Sequence, residues 1–218
     1  GVTGIGETGE MFVEPGGYAG LADVGHGLTN VAVVVPASRA PELSGDAEAF
    51  MRAWLGAHPV LGPRVAGAER VGPVRVTGPF ATHARTAWMP GAALVGDAAD
   101  FFDPFTGEGI FAALRGAELL APRVHDAVRA HSHARARRAL ESYDLERRST
   151  FRGKWLVERV VGLAVGAPTL MNHAARALAR RRDLADLLVG VTGDFVPAAE
   201  VLRPRFLLPL LVPRFPRS

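Results

Sequence analysis

The chain has 218 residues, of which 48% are hydrophobic, enough for one sizeable core or two small ones. It has no cysteine, which excludes a disulfide framework, a thiolate metal site and a cysteine nucleophile, and is compatible with the reducing cytosol. Formal net charge is +3 and Lys154 is the only lysine, so the arginine richness fits GC-rich coding better than a nucleic-acid surface.

No run of about 18 uninterrupted apolar residues exists, so no transmembrane helix is predicted. The chain begins with Gly1 and carries no signal peptide, which predicts that the start of a longer chain lies upstream. Residues 4–9, Gly-Ile-Gly-Glu-Thr-Gly, match G-x-G-x-x-G literally. A dinucleotide fingerprint must end a buried strand and open a helix, so that pyrophosphate meets the helix N-terminus. Only Gly1, Val2 and Thr3 precede the match and Pro15 soon follows, so the segment is read as a loop.

Residues 10–36 read as a β-meander with turns at Gly16-Gly17 and Gly25-His26-Gly27, closed by Pro36. Ser44 or Asp46 can cap a helix over 46–57, with Ala49, Phe50, Ala53, Trp54 and Ala57 on one face. Residues 69–89 alternate again and are expected to return to the same sheet. Residues 92–99 predict a short buried strand ending in Gly96-Asp97, and a helix is expected over about 107–120. Residues 123–150 are arginine-rich and amphipathic, with Val124, Val128, Leu140, Tyr143 and Leu145 as the apolar positions. Further helices fit 151–166, 168–180 and 183–190, and the tail over 206–215 is apolar and broken by proline.

Chemistry concentrates in residues 94–114, LVGDAADFFDPFTGEGIFAAL. A hydrophobic strand delivers Gly96 and Asp97 to its carboxyl end, where open α/β sheets bind ligands. Gly96 allows a backbone or ligand to come close. Asp97 offers a carboxylate to sugar-like hydroxyls. Pro104, Thr106, Gly107 and Gly109 then shape a tight loop into a helix N-terminus, whose free amides favour an anion or a developing negative charge.

This stretch resembles the second flavin motif of FAD-dependent oxidoreductases related to p-hydroxybenzoate hydroxylase. More closely it is similar to the geranylgeranyl reductase-like branch, with G-D-A-A followed by P-x-T-G-E-G-I. Asp100 and Ile110 stand where the hydroxylase branch usually has His and Asn. Tyr18-Ala19-Gly20-Leu21 departs from the Y-x-W-x-F-P motif that the reductases often carry. The resemblance implies that Asp97 holds a ribityl hydroxyl of FAD, within the cofactor segment Gly96, Asp97 and Ala98. Pro104 would sit against the isoalloxazine ring, and Gly107, Glu108, Gly109 and Ile110 would turn backbone amides to its N1–O2 edge. Phe80, His83 and Phe105 are the candidate substrate contacts, and no catalytic residue is assigned.

The resemblance covers the C-terminal part of such an enzyme, so the partner is the missing N-terminal FAD-binding half, with its own strand–GxGxxG–helix. The expected fold class is α+β: a substrate-domain sheet with one helix over 1–90, the returning piece of an FAD-binding domain over 91–122, and a helical region over 123–218. The implied activity is reduction of an unsaturated or apolar substrate by hydride from reduced FAD, with NAD(P)H as a possible donor. A flavin monooxygenase and a non-catalytic binding module are the alternatives. The isolated fragment is expected to be inactive.

Other candidates are weaker. His125, His131 and His133 are spaced by six and two residues, which does not gather ligands on one helix face. Asp97, Asp100, Asp103 and Glu108 do not follow a calcium-loop spacing, so no metal is expected. Asp126, Glu141, Asp144, Glu146 and Glu158 interrupt the arginine-rich segment, which is read as a solvated surface without nucleic acid. The chain is expected in the cytoplasm. Its tail, with Arg203, Arg205 and Arg214, either lies on a membrane surface or packs on the core.

Overall fold

The computed structural model describes residues 1–211 and is a mixed α+β structure. The chain folds into two units. Of the described residues, the first comprises 1–78 with 165–168, and the second comprises 79–164 with 169–211.

The first unit is a three-stranded antiparallel meander backed by helices. Strands β1 (Glu10–Glu14), β2 (Gly17–Gly25) and β3 (Leu28–Val34) pair in chain order, with Phe12 opposite Ala19 and Ala19 opposite Val33. Gly17 is required at its turn. Its φ is +152° and a Cβ there would stand 2.4 Å from the Val34 carbonyl oxygen. Helix α1 (Ala40–Leu43) precedes α2 (Ala47–Ala57) and α3 (Leu61–Val65). Asp46 caps α2 by accepting from the Ala49 amide at 2.9 Å.

Strand alternation puts Phe12, Ala19, Leu21, Val31 and Val33 against Met51, Trp54, Leu55 and Leu61. The expected helix face is therefore corrected. Ala49, Ala53 and Ala57 are exposed, because larger Met51 and Leu55 bury more apolar area from the adjacent stripe. On the other sheet face Met11, Asn30 and Ala32 are exposed and Gly20 and Ala22 half-buried, while Tyr18, between Val13 and Val34, is buried. Residues 4–9 form no strand or helix. Arg64 of α3 clips this strap by donating to the Thr3 and Gly4 carbonyls, each at 2.9 Å.

The expectation that 69–89 rejoin this sheet is overturned. Pro73 and Pro79 withhold ladder amides, and Val71 and Val76 lie exposed. In the second unit, β4 (Thr82–His83) pairs instead with β7 (Asp100–Phe101), and β5 (Trp88–Met89) with β6 (Ala92–Ala93). The predicted buried strand over 92–99 shrinks to β6, because Gly96, at φ +61°, turns the chain into a 3-10 turn over Gly96–Ala98.

Helix α4 (Gly109–Val128) starts two residues later than expected, because Gly107, at φ +71°, closes a separate 3-10 turn over Pro104–Thr106. The expected helices over 123–150 and 151–166 are instead the end of α4 and one continuous α5 (His133–Val165), about 50 Å long at the usual rise. Helices α6 (Pro168–Arg180), α7 (Arg182–Thr192) and α8 (Pro204–Leu211) follow.

The core of this end joins Val157, Leu184, Val191, Val201, Phe206 and Leu210. The apolar part of the tail that is described is thus packed inward at Phe206 and Leu210, while Arg214 and Phe215 lie outside the described residues. Among the described residues, no helix is long and apolar enough to cross a membrane.

Candidate functional site

The second unit brings the sequence-predicted residues of 94–114 together. Gly96, Asp97 and Ala98 occupy the first 3-10 turn, Pro104 and Phe105 the second, and Glu108 is the N-cap of α4. Gly96 serves packing: a Cβ on it would meet the Ala113 Cβ at 3.2 Å, and one on Gly116 would meet Val95 at 3.1 Å. The close approach that Gly96 permits is therefore to α4.

No side chain caps α4. Asp103 accepts from the Phe105 amide at 2.9 Å, and the Thr106 hydroxyl donates to the Asp103 carbonyl at 3.1 Å. The first bond into the helix runs from the Ala112 amide to the Glu108 carbonyl at 2.9 Å. The amides of Gly109, Ile110 and Phe111 meet no acceptor among the described residues. These orphan donors stand at the positive end of a helix of 20 residues.

The turn is open. Asp97, Ala98, Pro104 and Gly107 are exposed and the Ile110 side chain is 80% exposed. The Asp97 carboxylate lies 4.0 Å from where a Gly109 Cβ would be, close beside the free amides. Glu108 turns the other way: it is 2% exposed and pairs with Lys154 at 2.6 Å. The surface beside α4 therefore offers amide donors and one solvated carboxylate. That donor set suits an electron-rich ring edge flanked by hydroxyls.

Beneath this surface lies an ionic network that sequence reasoning missed. Arg147 of α5 is fully buried. Its Nη1 donates to both Asp100 oxygens at 2.7 and 2.8 Å, and its Nη2 to Asp144 at 2.9 Å and to the Ala84 carbonyl at 3.0 Å. Asp144 also accepts from the Ala87 amide, and the Tyr143 hydroxyl donates to the Leu94 carbonyl at 2.7 Å. Helix α5 thus pins the backbone at 84, 87 and 94. Arg147 and Lys154 correct the expectation that the arginine-rich segment is only a solvated face, because each has carboxylates that offset its desolvation.

His83 belongs to the same network. Its Nε2 lies 3.1 Å from Glu158, its Nδ1 lies 3.4 Å from Asp100 without a formed hydrogen bond, and its ring leans on Trp155 at 4.9 Å. Burial alone would lower the imidazole pKa, but the facing carboxylates of Asp100 and Glu158 outweigh it and push the value up to about 9. Burial pushes the Tyr143 hydroxyl up to about 12. Phe80 packs edge-on against Phe101 at 5.0 Å, and Phe105 is half-buried.

The signal for this network was present in the sequence. Leu140, Tyr143, Asp144, Arg147, Phe151, Lys154, Val157 and Glu158 are buried and recur every three or four residues. Charged residues in phase with the apolar ones hide the stripe from a hydrophobicity reading. Among the described residues, no group of three or more His, Asp or Glu side chains could hold a metal ion.

No family model matches the chain, and no significant match is found among the curated proteins. Solved structures do share its fold. The crystal structure of PqsL, a probable FAD-dependent monooxygenase from Pseudomonas aeruginosa, aligns over 75% of this chain and 45% of that one, at 23% identity and a TM-score of 0.50. The myxobacterial chondrochloren halogenase CndH, a variant of FAD-dependent halogenases, aligns over 68% of this chain and 35% of that one, at 24% identity and a TM-score of 0.56. The chain spans less than half the length of either, and at these identities the likeness is one of fold.

Proposed function

We propose that this chain carries the flavin-ring side of an FAD-dependent oxidoreductase. The observation that carries the reading is the open turn where the free amides of Gly109, Ile110 and Phe111 stand beside the Asp97 carboxylate. When bound, FAD would supply the redox chemistry. Asp97 would accept a ribityl hydroxyl, and the amides would donate to the N1–O2 edge, which becomes more negative on reduction. Gly96, Ala98, Pro104, Gly107 and Glu108 shape this cradle through their backbone. Phe80 and Phe105 would meet an apolar substrate, with the His83 ring behind them held by Glu158.

The fold neighbours are a probable monooxygenase and a halogenase, which favours an oxygen-using reaction. The T-G-E-G-I motif favours the geranylgeranyl reductase-like alternative. The Asp100 departure no longer speaks for either, because that residue is 3% exposed and spent on Arg147. NAD(P)H is the proposed electron donor. The ADP-binding half is proposed to lie in a part of the protein that this chain does not span. The tail is further proposed to touch a membrane surface, with its arginines at the headgroups.

The test is FAD retention by the full-length protein. A flavin absorbance band surviving desalting is expected, and its absence at saturating FAD contradicts the reading. Anaerobic turnover then separates the reactions: reduction proceeds without oxygen and hydroxylation stops.

A further inference from the structure

The first turn of α4 is gripped from behind by the only lysine in the chain. Lys154 is 6% exposed. Its Nζ lies 2.6 Å from Glu108 Oε1, 3.2 Å from Asp194 Oδ1, and 4.7 Å from the centroid of the Phe111 ring. Asp194 is partly solvated, so water screens its charge, whereas the Glu108 carboxylate is buried one residue from the free amides. Left unpaired, that carboxylate would oppose any electron-rich group brought to the turn. The same ammonium holds the side chains of residues 108 and 111 inward. Those two residues bracket Gly109, which is half-buried, and Ile110, whose side chain is the one left exposed.

Resting on the flavin reading above, we propose that Lys154 is the positioning residue of this turn. It cancels the Glu108 charge and locks residues 108 and 111 inward, so that the turn presents a net-positive amide edge to FAD.

The test measures the FAD dissociation constant and the midpoint potential of the bound flavin in the full-length protein. Four forms are compared: unaltered, Lys154→Met, Glu108→Gln, and both substitutions together. Lys154→Met is expected to weaken FAD binding about tenfold, through repulsion by the uncancelled Glu108 carboxylate. It also lowers the potential, because an uncancelled carboxylate disfavours the reduced, anionic ring. Adding Glu108→Gln is expected to restore both values towards the unaltered protein. A lysine that merely filled space would leave the double variant as impaired as the single one, and that result overturns the proposal.

A folded Lys154→Met protein with unchanged affinity and potential overturns it as well. If Lys154→Met does not fold, Glu108→Gln decides alone: it leaves the ammonium under the turn with only the partly solvated Asp194 beside it and raises the potential, and an unmoved potential overturns the proposal. An unaltered protein that takes up no FAD overturns the flavin reading together with this one. Normal uptake with no difference among the variants overturns only the role of Lys154.

Discussion

His83 and Asp97 mark the two sides of the site, one half-buried in the scaffold and one open to solvent. The folded pKa of His83 is raised to about 9 from an ordinary 6.5, so its protonated form is the one that stabilises the fold. That contribution is complete below about pH 6.5 and is lost as pH rises through about 9. The melting temperature should therefore fall between these values. In His83→Gln this part of the fall should vanish, which thermal unfolding across the pH series checks. Among the described residues Asp97 forms no hydrogen bond or ion pair. Asp97→Ala in the full-length protein should weaken FAD binding by about 1–3 kcal/mol, the worth of a hydrogen bond to a charged group, with an unchanged melting temperature. Titration of the flavin band reads the first and thermal unfolding the second.

Among the elements, α5 is the beam on which the site is laid. Arg147→Met would strip buried Asp100 of its two-oxygen partner and leave Asp144 to the half-exposed Arg148, and should cost about 3–5 kcal/mol in denaturant unfolding. Gly96→Ala should cost about 1–2 kcal/mol from its left-handed backbone alone, with the Ala113 contact at 3.2 Å adding to it. The meander, the Asp46 cap and the turn into α4 were legible in the sequence, because alternation, capping and glycine placement are local signals. What was not legible depends on partners far along the chain. Pro73 and Pro79 broke an alternation that looked like strands, and the buried face of α5 was disguised by charges whose partners lie about 50 residues away. The sequence reading of Gly96 allowed a close backbone or a ligand, and nothing local marks Ala113 as the neighbour that comes close.

Across the molecule, α4 carries an apolar seam that the described residues leave uncovered. Ile110, Leu114, Val124 and Val128 are 80%, 64%, 41% and 80% exposed, with exposed Ala117 and Ala121 completing a three-and-four spacing. The seam begins at the candidate site, and the chain aligns with only 45% and 35% of its two fold neighbours. The proposed ADP-binding half would cover it. The 218-residue chain alone should therefore bind a hydrophobic dye and self-associate, and Leu114→Glu with Val128→Glu should reduce both. In the full-length protein the same pair should weaken FAD retention. Equal dye binding and retention in the two forms would show that the seam plays no part in holding the missing half.

Bare amides at the start of α4 are the proposed seat of the flavin edge, and everything said of the site depends on them. Amide hydrogen exchange across residues 107–112 of the full-length protein, with and without FAD, probes them without an intermediary. FAD should slow exchange at Gly109, Ile110 and Phe111 while exchange in α6 and α7 is unchanged. Bound FAD that leaves these three amides exchanging at their original rate would contradict the assignment.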